Sequence, residues 1–441
     1  MQNNKIISII GLGYIGIPML VCCGINKKTD YKLVGIEKND ERGKSIIEKA
    51  KKGILPFRTN DTKLINGFNK ITKKQLASYS TDIKKIKDSE IIIVSVSFDF
   101  FSKNDVSNIK KLFYDISKYK KKKSLILIET TLPPGVTEKI LIPIVKKNSP
   151  NDCIVAYSFE RVTPGINHMD SIINSHRIYS GNSKISKSLC KKFLTKIINT
   201  KKFPLLKMNT IMECEMTKII ENSYRSLNIA FIDEWTKFSI KNNLNLNLAI
   251  DAIKLRKTHN NIMRPGLGVG GYCLTKDPLL MNLSSKILKQ NNEFILTSKI
   301  PAINKKSTET TIRFIRNKYK NKIKNTKILL MGATYKENVD DLRHSASLIL
   351  KKKLINCGSK VFITDTFNYS HMKTKNFNFV VKPNFKDYDI ILFCIGHDNY
   401  KNLNFKAFNK FTYFFDLNYI FSNTKIRNLQ SKKIKIFQLG T

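Results

Sequence analysis

Ile9-Ile10-Gly11-Leu12-Gly13-Tyr14-Ile15-Gly16 is the stretch that decides the fold. It is a G-x-G-x-x-G pattern, set directly after the β-branched run Lys5–Ile10 and at the start of an apolar helical stretch. The first glycine permits a tight turn, the second lets the backbone approach a pyrophosphate, and the third lets helix and strand pack closely. The helix that follows offers free amide donors and the positive end of its dipole to an anion. Glu37 closes the next β-branched run, 21 residues beyond Gly16. An acid there accepts from both ribose hydroxyls and repels a 2′-phosphate, so the pattern points to NAD over NADP. Gly11, Gly13, Tyr14, Ile15, Gly16 and Glu37 are the expected cofactor residues. A chance glycine turn is the competing reading, and the strand before it and the acid after it weigh against that. The same region, Ile6 to Ile25, carries no charge and resembles a signal or membrane segment. Gly11, Gly13, Gly16 and Pro18 interrupt it and no A-x-A-like cleavage site follows, so strand, turn and helix describe it better and no membrane insertion is expected.

Outward from that turn, short apolar runs alternate with polar helical stretches up to about residue 205. The runs are Lys5–Ile10, Leu33–Glu37, Ile91–Val96, Ser124–Glu129 and Cys153–Tyr157. Uninterrupted apolar strands alternating with helices predict a doubly wound parallel sheet, an α/β fold. Thr210 to Lys241 contains no Gly or Pro, and Ile211, Met212, Met216, Ile219 and Ile220 recur at helical spacing, which predicts a long buried helix. A second α/β pattern starts at Lys327, with strands expected at Lys327–Met331, Lys360–Thr364, Ile390–Ile395 and Tyr413–Asp416. The expected organisation is therefore a domain over 1–205, a helical middle over 206–305 and a second α/β domain over 306–441.

Composition narrows the function. The net charge of +44 invites a nucleic-acid reading, but only 11 of the 78 basic residues are Arg and the lysines are spread along the chain. Nucleic-acid readers cluster charge and favour Arg for bidentate contacts, so no nucleic-acid partner is expected. A positive field also suits an anionic small molecule. The eight cysteines form no C-x-x-C pair and the six histidines are scattered. No metal site is expected, and unpaired thiols fit a reducing, cytoplasmic setting.

Four further stretches carry candidate chemistry. In Pro265-Gly266-Leu267-Gly268-Val269-Gly270-Gly271-Tyr272-Cys273-Leu274-Thr275-Lys276-Asp277-Pro278, four glycines precede a Cys and an acid follows it by four residues. Flexible backbone around Gly270 and Gly271 lets the chain wrap a ligand. If Cys273 starts a helix, the dipole and Lys276 both favour its thiolate, and Asp277 falls one turn on. A nucleophile beside a carboxylate suits covalent catalysis; a buried structural Cys is the ordinary alternative. In Glu215-Met216-Thr217-Lys218-Ile219-Ile220-Glu221-Asn222, Lys218 and Asn222 share a helical face, suited to holding an oxyanion and a water. Spacing alone favours a solvated Glu215–Lys218 pair there. Ser158-Phe159-Glu160-Arg161-Val162-Thr163-Pro164-Gly165 puts Glu160 beyond a strand end, where open α/β sheets bind ligands; a surface Thr-Pro-Gly turn is equally compatible. Gly332-Ala333-Thr334-Tyr335-Lys336-Glu337-Asn338-Val339-Asp340-Asp341-Leu342-Arg343 lacks the second and third glycines of the first motif. Its Lys336 and Arg343 suit phosphates or water alike.

Together these residues resemble the UDP-glucose/GDP-mannose dehydrogenase family, the four-electron nucleotide-sugar 6-dehydrogenases. The resemblance runs in order through GLGYIG, ETTLPPG at 129–135, ERVTPG at 160–165, EMTKIIEN at 215–222, GVGGYCLTKDP at 268–278 and GATYKENVDDLR at 332–343. It implies two Rossmann-like domains bridged by a long helix that forms a dimer interface. It implies Cys273 as nucleophile, with Lys218, Asn222 and Asp277 activating water and stabilising oxyanions, and Glu160 as the acid of thioester hydrolysis. Thr131 matches a threonine beside cofactor and substrate. Lys276 and Arg343 resemble cofactor-side cations, and Lys336 a lysine that contacts a UDP-sugar. Glu160, Lys218, Asn222, Gly270, Gly271 and Lys336 form the expected substrate set. The ERV-x-PG and GVGG-x-C forms look like the UDP-N-acetylhexosamine dehydrogenases, whereas Lys276-Asp277 looks like the UDP-glucose enzymes. The implied reaction oxidises the C6 hydroxyl to a carboxylate with NAD, for surface polysaccharide precursors; a non-catalytic relative would not need Cys273, Lys218, Asn222 and Asp277 together. Two positions depart from the family pattern. Val96-Ser97-Phe98-Asp99 stands where Thr-Pro is common, and Phe159 stands where Pro commonly precedes the acid.

Overall fold

The computed structural model describes residues 5–26, 31–98, 103–291, 294–319, 323–372, 377–405 and 411–441. It divides into two compact units, Met1–Glu221 with Leu279–Glu293, and Asn222–Pro278 with Phe294–Thr441.

The first unit is built on a sheet of eight strands: β1 (Lys5–Ile10), β2 (Tyr31–Ile36), β3 (Ala77–Ser80), β4 (Ile91–Val94), β5 (Leu125–Ile128), β6 (Val155–Tyr157), β7 (Ile178–Gly181) and β8 (Leu206–Lys207). Their spatial order is β3-β2-β1-β4-β5-β6-β7-β8. The strands are short and β-branched because both faces are covered. Ile7, Ile9, Ile93, Leu125 and Leu127 enter one core, while Ile10, Ile92, Val94, Ile126 and Ile128 enter the other, as a period of two requires. Every pairing is parallel except β6 with β7. β7 reverses direction because the segment after β6 returns to the sheet at the end it left. The order reverses between β1 and β4, and that switch point is where open α/β sheets bind ligands.

The second unit carries a parallel sheet in the order β10-β9-β11-β12-β13. Its strands are β9 (Lys327–Met331), β10 (Lys360–Thr364), β11 (Ile390–Phe393), β12 (Tyr413–Asp416) and β13 (Lys435–Gln438). Ile328, Leu330 and Leu392 pack on one side; Leu329, Ile391 and Phe393 pack on the other.

A helix of 31 residues, Ile211–Lys241, follows β8. The expectation that it is buried holds for only part of it. Ile211 and Ile219 are buried, but Met216, Ile220, Tyr224, Phe231, Trp235 and Phe238 are between 40% and 55% exposed. Those six fall at intervals of three, four and seven residues, so they form one stripe. No described helix is long and apolar enough to cross a membrane.

Candidate active site

The glycine turn leaves β1 at the switch point. Gly11 has φ +94°, and a Cβ on it would meet Ser95 O at 2.6 Å. A Cβ on Gly16 would meet Gly11 O at 1.8 Å. The first and third glycines are thus demanded by the chain's own packing. Gly13 differs: a Cβ there would meet nothing within 4 Å. That open approach, beside the first helix (Gly16–Ile25), whose N-terminus has no side-chain cap, is a cradle for a ligand pyrophosphate. Glu37 lies one residue past β2, and its Oε2 accepts from Leu12 N–H at 2.7 Å. The acid therefore sits against the turn, where a ribose bound by the cradle would reach it. His168 braces the turn from outside the motif, its Nε2 2.7 Å from Tyr14 O, while Tyr14 stacks on Phe57. Burial lowers the His168 pKa, which favours the neutral ring. These residues fit NAD.

Beyond β5, Glu129 is fully buried and accepts from Arg177 Nη2 at 2.7 Å. Burial pushes its carboxyl up and Arg177 opposes that shift. The next residue, Thr130, accepts from Val96 N–H at 3.1 Å through Oγ1, and the half-buried Thr131 follows. Of the departure at 96–99, Asp99 lies outside the described residues.

The solvated Glu215–Lys218 pair favoured by spacing does not form. Glu215 is fully buried and accepts from Gly135 N–H, Thr137 N–H and Thr137 Oγ1 at 2.7, 3.0 and 2.6 Å. Its carboxyl group thereby ties down the residues that follow Thr131. Lys218 turns to the end of β6 instead. It is 7% exposed, its Nζ donates to Glu160 O at 2.9 Å, and it lies 3.9 Å from Glu160 Oε1. Glu160 is buried as well, and Val162 N–H donates to its Oε2, so the surface-turn alternative fails for this residue. Its neighbour Arg161 pairs with Glu221 at 3.3 Å.

In the second unit Cys273 does start a helix, the single turn Cys273–Lys276, and the thiol is exposed. Asp277 N–H donates to Cys273 O, so the acid stands one turn on. Asp277 is fully buried. Its Oδ2 accepts from Asn222 Nδ2 at 2.6 Å and its Oδ1 from Lys276 Nζ at 2.7 Å. Lys276 is therefore not a free cation beside the thiol: it is buried, its ammonium is bound to Asp277, and it lies over the Tyr272 ring at 4.8 Å. Gly270 and Gly271 have a packing reason of their own. A Cβ on either would come within 2.8 Å of Tyr335, and Gly271 N–H donates to Arg343 O at 3.0 Å. Arg343 clasps Asp341 through Nε and Nη2 at 3.0 and 2.6 Å. Lys336 is half-buried; burial lowers its pKa, Glu337 opposes this, and Arg225 adds to it.

The structure thus groups Gly11, Gly13, Tyr14, Ile15, Gly16 and Glu37 at one switch point, Glu160 with Lys218, and Asn222, Lys276 and Asp277 around one carboxylate. Two supporting residues, His168 and Arg177, had no signal in the sequence, because each acts across a long separation; Tyr335 lies in the 332–343 stretch, but its packing against Gly270 and Gly271 left no trace in spacing. Among the described residues no cluster of His, Cys, Asp and Glu is placed to hold a metal.

Comparison with known proteins gives the family. Residues 5–198 match the NAD binding domain of the UDP-glucose/GDP-mannose dehydrogenase family, 212–306 its central domain and 329–423 its UDP binding domain. The chain is 30% identical over 409 residues to a UDP-N-acetyl-D-mannosamine dehydrogenase of Methanocaldococcus jannaschii, covering 90% of this chain and 87% of that protein. It is 27% identical over 429 residues to a UDP-N-acetyl-D-glucosamine 6-dehydrogenase of Salmonella typhi, covering 94% and 96%. Its fold matches that of a UDP-glucose dehydrogenase from Pyrobaculum islandicum with a TM-score of 0.82 at 18% identity, over 99% and 97% of the two chains. With all three domains matched and a relative at 30% identity over nine-tenths of its length, the chain belongs to the UDP-glucose/GDP-mannose dehydrogenase family and is an oxidoreductase with NAD as its cofactor.

Proposed function

We propose that the protein oxidises the C6 hydroxyl of a UDP-N-acetylhexosamine to the uronate, in four electrons, with Cys273 as covalent nucleophile. The observation that carries this reading is the exposed Cys273 thiol at the start of a helical turn whose next turn begins with the buried, hydrogen-bonded Asp277. NAD+, when bound, would supply the hydride acceptor, one molecule for each of the two successive oxidations, the first leaving as NADH before the second binds. The residues supply everything else. A water held by Asp277 and Lys218 takes the hydroxyl proton. The Cys273 thiolate adds to the C6 aldehyde, and the resulting thiohemiacetal keeps the sugar in place until oxidation makes it a thioester. Lys218 and Asn222 stabilise the oxyanions. Water then adds to the thioester carbonyl, Glu160 and Asp277 handle its protons, and the thiolate leaves with release of the carboxylate.

Cysteine suits this sequence because a thiolate is accessible near neutral pH and its ester hydrolyses more readily than an oxygen ester. Asp277, committed to Asn222 and Lys276, is held in one orientation rather than free to swing, as a water-positioning group requires. Thr131, Lys276 and Arg343 serve the cofactor side in this reading; Gly270, Gly271 and Lys336 serve the UDP-sugar. The N-acetylhexosamine is favoured by the ERVTPG form and by the names of the M. jannaschii and S. typhi relatives. We further propose a cytoplasmic enzyme that feeds surface polysaccharide synthesis. The three-part organisation at 1–205, 206–305 and 306–441 belongs to the same reading, as does a homodimer or higher even assembly through the exposed stripe of the long helix. A panel of UDP- and GDP-sugars assayed with NAD+ tests the substrate. NADH formation fastest with a UDP-N-acetylhexosamine is expected; a clear preference for UDP-glucose would reverse the sugar and keep the reaction class.

A further inference from the structure

The β6 end places an aromatic ring under a buried cation. Phe159 is 1% exposed and packs in the core that contains Ile128, Leu132, Tyr157, Cys214 and Ile219. That core fixes the ring in place. Lys218 Nζ lies 5.3 Å from its centroid and Arg161 Cζ lies 5.7 Å from it. Lys218 itself has little access to water, one hydrogen bond to Glu160 O and a carboxylate oxygen at 3.9 Å. A buried ammonium has lost hydration that neighbouring groups must replace. A second carboxylate at contact distance would do so but would also occupy the ammonium's donors. A ring face attracts the cation through its quadrupole and accepts no strong hydrogen bond, so the remaining N–H donors stay open.

We infer that Phe159 is a positioning residue: its ring holds the Lys218 ammonium in place over its face while leaving donors free for a reacting oxyanion. The inference rests on the role proposed above for Lys218. It predicts that ring electronics, and not only ring volume, set the rate. The charged groups around the ammonium stay as they are in the test: Glu160 on the same segment, Arg161 with its partner Glu221, and no group introduced in their place.

The experiment replaces Phe159 by 4-fluoro-, 3,5-difluoro- and 3,4,5-trifluorophenylalanine in the full chain, and by Leu and Tyr. Fluorination drains the ring face with little change of size. The expected result is a stepwise fall in kcat along the fluorinated series. Phe159→Leu should lose on the order of five- to thirty-fold, Phe159→Tyr should stay within about threefold because it keeps a ring face, and KM for NAD+ should not move. A flat kcat across the series, or Phe159→Tyr as slow as Phe159→Leu, would overturn the inference. A second readout does not need turnover: the melting temperature should fall stepwise along the same series in the wild-type background and stay level in a Lys218→Met background. A wild type that makes no NADH with any nucleotide sugar would remove the role of Lys218, and a melting temperature with the same dependence in both backgrounds would separately remove the contact.

Discussion

Replacing Lys218 by Met keeps the length and apolar stem of the side chain and removes only the ammonium. The consequences can be worked from its surroundings. Glu160 O loses its donor at 2.9 Å and becomes a buried acceptor without that partner, which costs about 1–3 kcal/mol. The Phe159 ring loses a cation at 5.3 Å, about 1 kcal/mol more. A domain stable by roughly 5–15 kcal/mol survives that loss, so the variant should fold and melt several degrees lower. The effect on rate is larger, because the ammonium is assigned to charge that exists only in the transition states. Loss of one such donor lowers kcat by on the order of 10²–10³-fold, about 2.7–4 kcal/mol. KM for NAD+ should stay within about twofold, since uniform cofactor binding is not removed. Steady-state NADH formation at saturating UDP-sugar, beside a thermal melt, measures both. A folded Lys218→Met protein that retains more than a tenth of wild-type kcat would refute the reasoning.

Cofactor choice rests on Glu37. Glu37→Gln keeps an acceptor for Leu12 N–H but removes the charge that repels a 2′-phosphate, so the ratio of kcat/KM for NAD+ over NADP+ should fall at least tenfold; an unchanged ratio would take selectivity away from this residue. Assembly rests on the helix stripe. Sedimentation should find the wild type as a dimer or larger even assembly and an Ile220→Glu, Trp235→Glu variant as a monomer, and a monomeric wild type at micromolar concentration would contradict the proposal. Stability against pH rests on Glu215, whose carboxyl burial pushes up to about 8 from an ordinary 4.5. Because the folded state holds that proton more tightly, the contribution is full below about 4.5 and is lost as pH climbs through about 8. The urea midpoint should drop between pH 5 and pH 8, and Glu215→Gln should flatten that part of the profile.

Much of the fold was legible because its signals are local. The strands at Lys5–Ile10, Lys327–Met331, Lys360–Thr364 and Tyr413–Asp416 have the bounds their apolar runs suggest, and a helix without Gly or Pro ends within a residue of where expected. β3, β7, β8 and β13 escaped notice because each is four residues or fewer and carries polar residues, so no run stands out from the helical stretches around it. Periodicity identified the helix but could not tell a core-facing residue from one on the Met216–Phe238 stripe, since both are apolar and the difference lies in what covers them. The site was legible as residue types, less so as pairings. Lys276 reads in sequence as a cation near a thiol, and only the folded chain shows it spent on Asp277. Glu215 reads as the partner of Lys218, yet its partners lie at Gly135 and Thr137, some 80 residues away. Long-range pairings such as Arg177 with Glu129 and His168 with Tyr14 leave no trace in spacing.

The proposed reaction requires one sugar to give up four electrons on one thiol. The direct measurement is the number of NADH formed per UDP-N-acetylhexosamine consumed by the wild type, run beside Cys273→Ser. Two NADH per sugar are expected with the uronate as product, and a Ser variant that still binds NAD but is slowed on the order of 10³-fold or more. One NADH per sugar with free aldehyde as product, or a Ser variant with near-normal turnover and the same two-to-one ratio, would contradict it.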